Sequence, residues 1–428
     1  MSEWKEDILS KKVDLIHGHQ FRDNDFVEDG IPIIKIGQLK FNGQIDLTNC
    51  SYIDRKNLEK FKDYLIYQGD VLMALTGATL GKTVRVTKDF GNILQNYRVG
   101  KFLPIDDTIN KDFIYYLLTS SFVQNEMLAK INTAAQGNIG KADFKRIKIR
   151  YPSYKNQQKI AKILTTYDTV IEQTQSAIAK YKAIKQGLLH DLFTRGLDAN
   201  GHLRPSYQQA PELYKESELG MIPKEWEVDN FEGATEIITD FTANGSFESL
   251  RVNVNYYYES NYGRLIRLTD LRVNLKNEGV YVDKVGFDFL SKSELRENDL
   301  MLANVGEYTG YTCLMPKVNY PATIAPNMFL VRCNCEKFTA QFMYYFMTLD
   351  AFTRQVDNIS ASSATKLLNK TNFRKLSILR PDLKEQKIIG KILKNIDNKI
   401  QTEETLLQKY QSIKRGLMGD LLGGRKEV

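Results

Sequence analysis

The sequence predicts an α+β protein: two mixed α/β domains, each followed by a long helix, with the two helices paired as an antiparallel coiled coil of pseudo-twofold symmetry. Two observations carry this. Shifted by 229 positions, Phe144 to Leu192 falls on Phe373 to Leu421 without a gap, matching at Phe144/Phe373, Pro152/Pro381, Gln157/Gln386, Asp168/Asp397, Lys185/Lys414 and Asp191/Asp420 among others. Such self-similarity over some fifty residues marks a tandem duplication. Each copy also has an apolar seam that steps by four and three with no interior proline, the beat of a coiled coil.

The first seam runs Ile160, Leu164, Tyr167, Ile171, Thr174, Ile178, Tyr181, Lys185, Leu188, and the second Ile389, Leu393, Ile396, Ile400, Glu403, Leu407, Tyr410, Lys414, Leu417. In the second copy Asp382 and Glu385 follow Pro381 in a capping-box pattern. The segments before the helices correspond faintly. Gly69-Asp70-Val71-Leu72-Met73-Ala74 falls on Asn298-Asp299-Leu300-Met301-Leu302-Ala303, and Gly77 and Gly81 on Gly306 and Gly310. Ile33 to Ile36 resembles Leu265 to Leu268, and Gln95-Asn96 resembles Pro326-Asn327. Short alternating runs bounded by Gly, Asn and Asp predict mixed β structure with short helices. Gly196 to Glu225, with Pro205, Pro211 and Pro223, reads as an extended connector. The predicted order is domain 1–143, helix 144–196, connector 197–225, domain 226–372 and helix 373–428.

Composition sets broad limits. The 428 residues, 42% hydrophobic and 26% charged, are ordinary globular protein, about three folding units at roughly 150 residues each. No apolar run approaches the ~20 residues that cross a bilayer, and the charged stretch Met1 to Asp7 lacks the apolar core of a signal peptide. With four cysteines in no disulfide framework, these features predict a cytoplasmic location. Only Cys333 and Cys335 are close in sequence, and His17, His19, His190 and His202 lie far from them, so no metal site is expected. Residues 144–196 carry a net charge of +8 and residues 373–424 of +5, which leaves −6 for the remainder of a chain whose total is +7. Domains of that charge cannot hold DNA by counterion release alone, but could read bases if another subunit supplies the electrostatic grip.

Catalytic patterns fail one by one. Thr76 to Thr83 ends in Gly-Lys-Thr, but three residues rather than four separate Gly77 from Gly81, and the repeat copy Gly306 to Thr312 has no lysine. Asp382 to Lys387 resembles a nuclease cluster, yet its acids open a helix and its sister, Ser153 to Gln158, has neither. A methyltransferase tetrapeptide, a glycine-rich cofactor loop and a Gly-x-Ser-x-Gly elbow are absent from the sequence. The expectation is a binding protein without catalytic residues.

Ser217-Glu218-Leu219-Gly220-Met221-Ile222-Pro223-Lys224-Glu225-Trp226 resembles the opening of a target-recognition domain in the specificity subunits of Type I restriction–modification systems. Gly69 to Leu72 with its glycine turn, and the paired helices Gln157 to Asp191 and Gln386 to Asp420, resemble that family too. The first domain departs from it, opening with Ser2-Glu3-Trp4-Lys5 and no Ile-Pro pair. The resemblance implies two target-recognition domains, each reading one half of a split double-stranded DNA site, and helices that set the gap and dock two modification subunits. It places S-adenosylmethionine, ATP and magnesium on partner methylating and restriction subunits, with no cofactor in this chain. The reading from another class is a DNA methyltransferase or nuclease with an unrecognised active site. Base contacts are expected from Thr76, Thr79, Lys82, Asn96, Tyr97, Arg98, Asn138 and Lys141 in the first domain. In the second they are expected from Asn304, Tyr308, Tyr311, Asn327, Lys366, Asn369 and Lys370.

Overall fold

A computed structural model describes residues 4–40, 44–131, 138–273, 275–360 and 366–426. The chain forms two units, Met1–Ser176 with Glu404–Val428, and Ala177–Glu403, so each contains half of each long helix. Ser2 and Glu3 of the first domain's opening lie outside the described residues.

In the first unit an antiparallel sheet has the strand order Val13–His17, Val99–Pro104, Val71–Ala74, Thr83–Arg85. A second sheet runs Phe26–Val27, Ser51–Ile53, Ile31–Ile34, Leu94–Gln95, its last pair parallel. The second unit repeats both sheets. Its antiparallel sheet is Thr235–Asp240, Met328–Cys333, Leu300–Ala303, Thr312–Leu314, and the mixed one is Val280–Val282, Gly263–Ile266, Ala322–Ile324.

The unbroken apolar run Val71 to Ala74 serves two cores at once. Strand side chains alternate between faces. Val71 and Met73 enter the cluster that also holds Phe102, Phe113, Ile160 and Leu164, whereas Leu72 and Ala74 enter the one with Ile34, Leu39 and Ile66. Leu300 and Leu302 pack likewise with Ile389 and Leu393, and Met301 with Ile266 and Ile324. A strand buried on both faces has no polar position to spare, which is why the two copies look alike here in sequence.

The long helices are Tyr154–Thr194 and Leu383–Leu422. Both start later than the repeat does, because its first ten residues close the domain. Lys148–Tyr151 pairs with Lys5–Ile8, and Ser377–Arg380 pairs with Glu227–Asn230. The domain boundaries expected at 143 and 372 therefore fall inside folded structure. Within each unit the two helix halves run antiparallel. In the first, Asp168 takes Lys414 as its ion-pair partner and accepts a 2.6 Å hydrogen bond from Tyr116. In the second, Asp397 pairs with Lys185 at 2.6 Å and accepts from Tyr345 at 2.8 Å. The repeat positions Asp168/Asp397 and Lys185/Lys414 are thus partners in trans, and the lysines on an apolar seam have a physical reason.

Burial along the seam is uneven. Ile160, Leu164, Thr174, Ile178, Ile389, Leu393 and Ile400 are buried, whereas Tyr167, Ile171, Tyr181, Leu188, Ile396, Leu407, Tyr410 and Leu417 are half-buried. The most buried positions at the helix starts insert into domain cores rather than only into a facing helix. At the helix ends the core is reached by Leu189, Leu192, Phe193 and Leu421, one step beyond the expected beat.

The expected capping box is half formed. Asp382 accepts from the amides of Lys384 and Glu385, but the Glu385 side chain turns away. It takes the Arg204 guanidinium at 2.7 Å and the Trp226 indole N–H at 2.9 Å, and it also accepts from the Leu197 amide. Arg204, Trp226 and Glu385 are all buried. The stretch 197–225 is consequently no extended connector. It contains the hairpin Tyr214–Ser217/Gly220–Pro223, with Tyr214 and Ile222 buried.

Candidate nucleic-acid interface

In the first domain three distant segments meet where the strand Val71–Ala74 ends. The Leu75 amide donates to the Arg98 carbonyl, the Ile139 amide donates to the Leu75 carbonyl, both at 2.9 Å, and Thr76 bridges Asn138. The glycine turn then folds back, Gly81 N–H donating to Ala74 and Ala74 N–H to Lys82. Gly77 and Gly81 have φ of +76° and +79°, so a side chain at either would be strained. The second domain builds the same junction. Asn304 N–H donates to Asn327, Leu368 N–H to Asn304 and Gly310 N–H to Ala303, and Val305 bridges Leu367. Gly306 and Gly310 again have positive φ.

This junction corrects part of the repeat alignment. Arg98, not Asn96, occupies the place of Asn327, so the match of Gln95-Asn96 to Pro326-Asn327 is two residues out of step. The match of Ile33–Ile36 to Leu265–Leu268 stands. Asn96 N–H donates to Ile34 as Ala325 N–H donates to Ile266, and Lys35 and Arg267 head the same capped turn.

The backbone brings most of the expected residues together, but their side chains differ in what they are free to do. Asn96 is buried with its Oδ1 on the Arg98 amide, and Asn369 caps a helix by accepting from the Asn372 amide. Both hold the loop's own backbone instead of presenting an amide outward. Lys82 donates to the Leu39 carbonyl, and burial beside Lys40 pushes its ammonium down. Lys141 is paired with Asp14, Lys366 with Asp357 and Lys370 with Asp240, at 2.8–3.1 Å. Each of these lysines is thus already neutralised by a carboxylate of its own domain. Thr76 and Asn304 are half-buried, and Asn138 and Asn327 are exposed. The Thr79 Oγ1 and Asn304 Oδ1 atoms are buried without a hydrogen-bond partner. Tyr311 is exposed at the turn, and partial burial beside Cys313 raises its hydroxyl to about 12, so it remains a proton donor at neutral pH.

Two arginines are held by tyrosines instead of acids. Arg98 Nε donates to the Tyr97 hydroxyl at 2.8 Å, and its guanidinium lies 5.3 Å from that ring's centroid. Arg272 Nη1 donates to the Tyr308 hydroxyl at 3.0 Å and lies 4.8 Å from that ring. Arg272 is not among the residues that the sequence pointed to. Its first-domain counterpart is Lys40, two residues past the capped turn, and the signal was the three-residue difference in repeat offset, 232 at Ile34/Ile266 and 229 at Asp70/Asp299. Lys40 is paired with Asp46 at 3.0 Å.

Residues 3–181 and 223–411 match the profile of the type I restriction modification DNA specificity domain. The chain belongs to this family. It is 23% identical over 385 residues to the type I restriction enzyme MjaVIII specificity subunit of Methanocaldococcus jannaschii, a match covering 86% of this chain and 81% of that one. Against the EcoKI specificity subunit of Escherichia coli the identity is 22% over 406 residues, covering 90% and 80%. The crystal structure of a type I restriction–modification S subunit from M. genitalium shares the fold with a TM-score of 0.62 at 14% identity, over 98% of this chain and 96% of that one. The function of the chain is DNA sequence specificity in a type I restriction–modification system. Each of the two matched specificity regions begins a domain and runs through its junction into a long helix. Among the described residues no three His, Cys, Asp or Glu side chains assemble as a metal site, and no helix is long and apolar enough to cross a membrane.

Proposed function

We propose that each specificity domain of this chain reads one half of a split DNA sequence through its three-segment junction. The paired helices, on this reading, fix the unread gap and dock two modification subunits. Methyl transfer from S-adenosylmethionine, ATP-driven translocation and cleavage belong to partner subunits in the cytoplasm, and this chain contributes no catalytic residue. The observation that carries the reading is the duplicated junction: an identical backbone frame bears different side chains, Thr76, Thr79 and Arg98 in one copy and Val305, Tyr308 and Asn327 in the other. A conserved scaffold with unlike outward groups suits two readers of unlike sequences. The unpartnered Thr79 and Asn304 oxygens support it, since a buried polar atom costs free energy until something satisfies it.

The experiment compares the isolated chain with the chain assembled with its modification subunit. The chain alone should neither methylate nor cut DNA and should bind it weakly, because most interface lysines are already neutralised. Assembly should create tight, salt-sensitive, sequence-specific binding. Methylation or cleavage by the purified chain would favour the enzyme reading instead. Specific binding of equal strength by the chain alone would overturn the division of labour.

A further inference from the structure

Resting on that reading of the junctions as DNA readers, we propose that Arg98 and Arg272 are guanine-reading residues, one in each domain, each held in a fixed pose by a tyrosine. The argument begins with what the other cations do. Lys40, Lys141, Lys366 and Lys370 hold carboxylates, so using any of them on a base means breaking an ion pair. The guanidinium groups of Arg98 and Arg272 face phenol rings and hydroxyls, which orient them without cancelling their charge.

Donor arithmetic then selects the ligand. A guanidinium has five N–H donors in a rigid fork. Tyr97 occupies Arg98 Nε and leaves the paired Nη1/Nη2 end. Tyr308 occupies one donor on Arg272 Nη1 and leaves the Nε/Nη2 edge. Each arginine keeps two parallel N–H groups, the number that matches O6 and N7 of guanine in the major groove, and no other base edge offers two acceptors there. Both side chains are exposed and lie at the junction: the Arg98 carbonyl is bonded to the end of the central strand, whereas Arg272 follows the turn Leu268–Leu271 and reaches the junction through Tyr308, which lies within the glycine turn.

The two positions are not equivalent in the repeat. Asn327 stands where the first domain has Arg98, and Lys40, tied to Asp46, stands where the second has Arg272. The same base would therefore be read from different corners of one frame, at different places in the two half-sites.

The test uses the chain assembled with its modification subunit and duplexes carrying 7-deazaguanine at one guanine of the recognised sequence at a time. In each half one such substitution, which removes N7 and leaves O6, should weaken binding at least about 3-fold but by less than the roughly 5- to 150-fold range for losing a whole bidentate base contact. Arg98→Ala should abolish that sensitivity in one half only, and Arg272→Ala in the other only. A recognised half with no guanine, or a variant that keeps the wild-type sensitivity, would overturn the assignment. So would a uniform loss over all sequences with a reduced salt dependence, which marks a phosphate contact. Loss of effect at the arginines alone removes this assignment. Loss of effect also on charge reversal at Lys141 and Lys366 removes the junctions as the DNA interface.

Discussion

Replacing Gln386 with leucine should destabilise the second unit by on the order of 2–4 kcal/mol, and Gln157→Leu should do the same to the first. Both side chains are fully buried and each makes three hydrogen bonds to backbone. Gln157 Oε1 accepts from the Asn110 amide, and its Nε2 donates to the carbonyls of Thr108 and Pro152, at 2.8–2.9 Å. Gln386 does likewise with the Thr339 amide and the carbonyls of Lys337 and Pro381. Each glutamine staples the first turn of a long helix to the loop ahead of a domain helix. Leucine matches the volume but leaves one buried carbonyl, that of Pro152 or Pro381, unsatisfied at about 1–3 kcal/mol, and two part-buried backbone groups without this partner at roughly 0.5 kcal/mol each, since water reaches them. Hydrogen exchange resolved along the chain checks this, and protection should fall in the unit that carries the substitution. Unchanged protection there would show that the glutamines are not structural staples.

Glu385→Leu should cost about 3–5 kcal/mol, because it strands the buried Arg204 cation. Glu385 is 5% and Arg204 7% exposed, and Glu225, the other carboxylate on Arg204, is mostly in solvent and supplies only weak compensation. The indole N–H of Trp226 and the Leu197 amide lose their acceptor as well. A double variant, Arg204→Met with Glu385→Leu, should be more stable than the single one, since it removes the unpaired charge. Thermal unfolding followed by circular dichroism measures both. A single variant as stable as the double would mean that Arg204 finds another partner or reaches water.

The duplicated architecture was legible because the residues that define it answer to geometry common to both copies. Gln157/Gln386, Asp168/Asp397 and Lys185/Lys414 make equivalent contacts twice, so the positions match twice. The connector was misread because its prolines and glycines suggested an open chain, while the contacts that fold it, Arg204 and Trp226 with Glu385, span up to 181 residues. The domain boundary was set too early because Lys148–Tyr151 looks like the start of a basic helix until its pairing with Lys5–Ile8 is seen. At the interface the glycine turns and polar loops were visible in sequence. Whether an asparagine points outward or caps its own loop, as Asn96 and Asn369 do, depends on backbone geometry that residue type does not specify.

The central claim is that the two domains are independent readers of one DNA site. The direct measurement exchanges Trp4 to Tyr151, a segment closed on itself by the pairing of Lys5–Ile8 with Lys148–Tyr151, for its counterpart from another family member. Methylated bases are then mapped by sequencing in a host that supplies the modification subunit. The account predicts that one half of the modified sequence changes, while the other half and the gap between them stay as they were. A change in both halves, or in neither, would contradict it.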